Sequence, residues 1–171
     1  MSGPDHRAAA LARGVGREFR RRLAEDYVPR IRRCAEIVTP ARCWLRPGPT
    51  GNSIGNLLLH LEGNVRQWIL VGLGGREDRR DRAAEFSANG AGAPPIPDLL
   101  DRLEATVREA CEVVDRLGPD DLLAERTIQK TFRETGLSAA LHVLEHFSGH
   151  AGQIYAWTKQ LSGKDLKFYD L

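Results

Sequence analysis

Cysteine is scarce in this sequence, and the three present, Cys34, Cys43 and Cys111, are odd in number and widely spaced. They form neither a disulfide framework nor a paired-cysteine metal motif, which leaves them as buried or idle thiols. Long apolar runs are missing too. No stretch approaches the roughly 20 residues that a spanning helix needs, and Met1 to Ala12 lacks the apolar block of a signal peptide. A cytoplasmic protein without membrane contact is the expectation. No serine, cysteine or lysine stands in a recognisable nucleophile motif, no glycine-rich loop follows a strand in a phosphate-binding pattern, and no internal repeat is visible. Any chemistry therefore has to come from other residues or from a bound group.

The chain has 171 residues, 42% of them apolar and 28% charged, the balance of one water-soluble domain with a real core. A single domain over 1–171 is expected, with 1–12 as a disordered tail. Net charge is only +2, yet the stretch to Arg33 carries nine arginines against four acids, including Arg20, Arg21 and Arg22 in a row. Stacking aromatics in series are absent there, so the run reads as the solvated face of a helix rather than a nucleic-acid interface.

Apolar residues at helical spacing mark four long helices. The first runs from about Val15 to Val38 through Phe19, Leu23, Tyr27, Ile31 and Cys34, with a kink allowed at Pro29. The second runs from Ile54 to Gly72 behind the candidate N-cap Ser53. A long loop, rich in glycine and proline and partly ordered, follows from Gly72 to Pro97. The third helix spans Asp98 to Leu117 and the fourth Gly136 to Leu161, with weakly alternating, extended residues from Arg126 to Arg133 between them. This pattern predicts an all-α fold, a four-helix bundle with long connecting loops.

Four of the five histidines fall on two of these helices, and His142, His146 and His150 recur every fourth residue. That period stacks them on one face about 6 Å apart, so neighbours can converge on one ion. A third ligand has to come from another helix. His60 stands in a polar line, Ser53, Asn56, His60, Asn64 and Gln67, beside the apolar stripe of the second helix. Three neutral imidazoles would leave an ion its charge and an open position. His142 and His150 lie about 12 Å apart along the axis, so one of them must stay outside such a site. Spacing alone allows either His142 with His146 or His146 with His150. Glu145 is turned about 100° from His146 and reads as outward-facing. Asn56 and Asn64 could orient ligands or make structural contacts, and Trp68, Phe147 and Trp157 could line a pocket or fill the core.

The segment Asn52-Ser53-Ile54-Gly55-Asn56-Leu57 through His60, Asn64 and Arg66-Gln67-Trp68, together with His142-Val143-Leu144-Glu145-His146-Phe147-Ser148-Gly149-His150-Ala151-Gly152-Gln153-Ile154, resembles the DinB superfamily. Within it the nearest likeness is to a branch described as a domain of unknown function. The likeness extends over the Asp81 to Phe86 loop and the Lys164 to Tyr169 end. It implies a DinB-type bundle, a homodimer, and a divalent ion (Zn, Ni, Fe or Mn) held by His60 with His146 and His150, the pair before Gly152-Gln153. It also implies activation of a low-molecular-weight thiol or water in a thiol S-transferase or hydrolase. The alternative is a non-enzymatic metal- or ligand-binding stress-response protein.

Overall fold

The computed structural model of the chain describes residues 4–168. Helix α1 (Pro4–Arg20) runs through a π-helical stretch, Arg21–Tyr27, into α2 (Val28–Ile37), forming one long rod. The rod begins well before Val15 because Ala8-Ala9-Ala10-Leu11-Ala12 is a run of strong helix formers. The disordered tail expected to residue 12 is thus helical from Pro4, and residues 1–3 lie outside the described region. Pro29 does not break the rod. It has no N–H and would clash with a carbonyl one turn back, and the wider π turn directly before it removes that conflict.

Helix α3 (Ile54–Val65) starts at a capping box in which Ser53 and Asn56 satisfy each other's backbone N–H, and it continues as a second π-helical stretch, Arg66–Val71. The following loop contains one short helix, α4 (Arg82–Ser87), capped by Asp81. Helix α5 (Ile96–Asp115) leads through α6 (Pro119–Leu123) into a hairpin of β1 (Glu125–Ile128) and β2 (Phe132–Thr135), and α7 (Gly136–Ser162) closes the fold. The extended segment expected around 126–133 is this hairpin. Gln129 and Lys130 at its turn both have positive φ, 53° and 64°, an uncommon conformation for residues with side chains. Helix α7 ends at Gly163, whose φ of 68° gives the left-handed stop that glycine adopts without penalty.

Around the bundle α1 packs on α5, α5 on α3, α3 on α7 and α7 on α2, so α3 stands diagonally opposite the first rod. Phe19, Leu23, Ile31, Leu58, Leu61, Leu103 and Phe147 fill the centre and are almost wholly buried. All three cysteines are free and buried. Each member of the arginine run is paired with an acid, Arg20 with Asp115, Arg21 with Glu18 and Asp26, and Arg22 with Glu18. Among the described residues no helix is long and apolar enough to cross a membrane.

Candidate metal centre

The contact of α3 with α7 brings His60, His146 and His150 together. Counting from the Ser53 cap, His60 faces α7, only 4% exposed. His146 and His150 project from one face of α7, one turn apart. One ring nitrogen from each of the three lies within 4.8 Å of the other two, and the Nε2 atoms of His60 and His146 are 3.0 Å apart. Adjacent ligands on an ion with metal–nitrogen bonds of about 2.0–2.1 Å are separated by about 3.0–3.4 Å, a range that the His60–His146 pair meets, with His150 close enough to complete a group that could hold a divalent cation. The donor set fits as well. Burial, reinforced by the neighbouring His150 and His60, holds the His146 imidazole down to about 3, and burial also lowers His150 although its bond to Gln153 opposes this. Both rings are therefore neutral at pH 7, the form that binds metals. His150 Nδ1 meets Gln153 Oε1 at 3.0 Å, which engages that nitrogen and leaves Nε2 free.

Behind His60 lies a group that the sequence reading missed. Its Nδ1 is 2.8 Å from Oε2 of Glu85, a buried carboxylate on α4. Arg80 grips the same carboxylate with two bonds, Nε to Oε1 at 2.6 Å and Nη2 to Oε2 at 2.9 Å, and its Nη1 donates to Gln67 Oε1 at 2.9 Å. Burial pushes the Glu85 pKa up, but the bonds from Arg80 and His60 outweigh it and the carboxyl titrates below its ordinary value. Gln67 in turn holds Asp78 and accepts from Gln129 at the hairpin turn. The Phe86 ring lies 4.7 Å from that of His60. Glu85 carried no signal in the sequence because it sits in a charged, loop-like segment, 25 residues from its partner.

His142 stays outside the cluster. Its ring stacks on Trp68, with centroids 3.6 Å apart and an angle of 21°, and its centroid is 5.6 Å from that of His146. Both His142 and Trp68 line a cavity of about 390 Å³ that opens onto His60 and His146 and is bordered by Asn64, Arg80, Arg82, Gln129, Phe132 and Glu134. Trp68 thus serves core and cavity together, whereas Phe147 is core and Trp157 donates to the Leu45 carbonyl. Glu145 is exposed, as its helical position requires. Asn56 is structural, its amide donating to the carbonyls of Glu85 and Ala88. Asn64 is buried, and its Oδ1 has no hydrogen-bond partner among the described residues.

No curated protein matches the sequence. Among solved structures, a DinB-like protein of Bacillus subtilis, YjoA, superposes with a TM-score of 0.63 at 15% identity, covering 89% of this chain and 94% of its own. At that identity the likeness speaks to the fold alone. A sequence-family profile described as the DinB superfamily matches residues 24–154, well over half of the chain and the whole span from the first rod to the clustered histidines of α7. With its helical bundle and this sequence match, the chain belongs to the DinB superfamily.

Proposed function

We propose that this protein binds one divalent metal ion through His60, His146 and His150 and uses it to activate a low-molecular-weight thiol or water against a small electrophile. The observation that carries this reading is the convergence of three histidine side chains, two of which, His60 and His146, also border a cavity. A structural site would be closed by a fourth protein ligand, and among the described residues no fourth histidine, cysteine or carboxylate joins the group. An ion of this kind lowers the pKa of a coordinated water or thiol, so that the nucleophile forms near neutral pH.

The chain's own residues supply the rest. Phe132, Trp68 and His142 give the cavity a ring-lined wall against which an apolar part of a substrate could pack. Arg82, exposed at the rim with its guanidinium 5.1 Å from the Phe86 ring centroid, offers a positive charge to an anionic substrate group. The ion is zinc, nickel, iron or manganese, since imidazole sites accept several metals in order of affinity and supply. The proposal includes a homodimer.

The test is metal analysis of untagged protein followed by a screen of small thiols against electrophiles. Metal-dependent turnover that chelation abolishes is expected. Tight metal binding without turnover across the screen would favour the non-enzymatic binder.

A further inference from the structure

The buried ion pair behind His60 meets that histidine directly. Taking Arg80 and Glu85 out of water is costly even when they are paired, and a well-packed apolar pair often serves stability as well. The Arg80 and Glu85 side chains are only 4% and 8% exposed. Helix α3 also makes room for them. A Cβ on Gly63 would overlap Glu85 Oε1 and come within 2.8 Å of Arg80 Nε, so a glycine, poor for helix stability, occupies the last turn of α3, before the π-helical stretch and one turn after His60. Asn56, one turn before His60, fixes the same segment from the other side through the Glu85 and Ala88 carbonyls.

We infer that Glu85, seated by Arg80 in the notch at Gly63, is a positioning residue that holds His60 as its Nδ1–H tautomer and turns Nε2 toward His146 and His150. His60 Nδ1 has two polar neighbours, Glu85 Oε2 at 2.8 Å and Arg80 Nη2 at 3.1 Å. They demand opposite tautomers, because a carboxylate only accepts and a guanidinium only donates. The carboxylate prevails for two reasons. It is closer, and a lone pair on Nδ1 would face its charge, whereas Arg80 Nη2 already donates to Glu85 Oε2. With the proton on Nδ1, Nε2 presents its lone pair, and the anion behind the ring raises its basicity as a ligand. The short loop helix α4 is thereby part of the metal centre without touching the ion.

The inference rests on the proposed metal site, so the test has one readout that needs no metal. In metal-free protein, nitrogen NMR recorded at alkaline pH, where the rings are neutral, is expected to show His60 as a single Nδ1–H tautomer, and Glu85→Ala should shift it to a mixture. Zinc affinity, measured by competition with a chelating dye, should fall about 10- to 100-fold in Glu85→Ala. Gly63→Ala, which favours helix and removes no polar group, should produce the same two changes by displacing the pair. Circular dichroism identifies a variant that has merely unfolded, and Gly63→Ala then carries the test. An unchanged His60 tautomer in folded variants overturns the inference, as does zinc affinity equal to wild type. Absence of zinc binding by the wild-type protein would instead remove the proposed function, leaving the tautomer measurement to decide the role of Glu85.

Discussion

Cys34, Cys43 and Cys111 are buried singly, and burial pushes each thiol up to about 11. A raised thiol pKa means less thiolate at any working pH, so at pH 8 these groups are both protonated and shielded. An aromatic disulfide reagent is expected to find no reactive thiol in the native protein and three after denaturation; rapid native reaction would contradict this burial. Leu103 is fully buried on α5, the helix that packs on both α3 and the first rod, and Leu103→Ala should cost about 2–5 kcal/mol in a denaturant titration. These single-residue properties could be read from the sequence, since apolar period and thiol scarcity are local features. Glu85 and Arg80 could not. Their significance depends on which helix the loop folds back against, and a carboxylate in a run of alternating charges looks like solvated surface until that partner is known.

The ends of the elements show how local chemistry becomes architecture. Asn56 completes the cap of α3 and also ties down α4 through two carbonyls. Asn56→Ala is expected to destabilise the protein by about 2–3 kcal/mol, since the Ser53 N–H loses its acceptor and two carbonyls lose their donor. Hydrogen exchange should quicken across 82–88 more than across α5; uniform protection would mean that α4 is held by other contacts. The four main helices were legible because their apolar stripes are long, and Gly118-Pro119 marks the end of the third. The π-helical stretches were not, since the same spacing suits an α-helix until the Pro29 ring and the packing of 66–71 intervene. Helix α4 is too short for a period to show.

At the scale of the whole molecule, the bundle places a polar line of α3 against the histidine face of α7, and two faces that would each be unfavourable alone become one site. Which helices would adjoin was not readable from periodicity, but the histidine count on two elements limited the choices. Metal bound only by the folded chain stabilises it, by about 2.7 kcal/mol when free metal is a hundredfold above Kd. Chelation should therefore lower Tm by about 5–10 °C in a chain of this length, and no shift would argue against a site linked to folding. The proposed homodimer predicts a light-scattering mass of twice 19.0 kDa at tens of micromolar, against which a monomeric mass would count. The most direct test of the central claim is metal stoichiometry in untagged histidine variants. One ion per wild-type chain is predicted, none after His60→Ala, His146→Ala or His150→Ala, and a retained though weakened ion after His142→Ala, whose ring stacks on Trp68 instead of joining the cluster. A site emptied by His142→Ala and still full after His150→Ala would contradict the account.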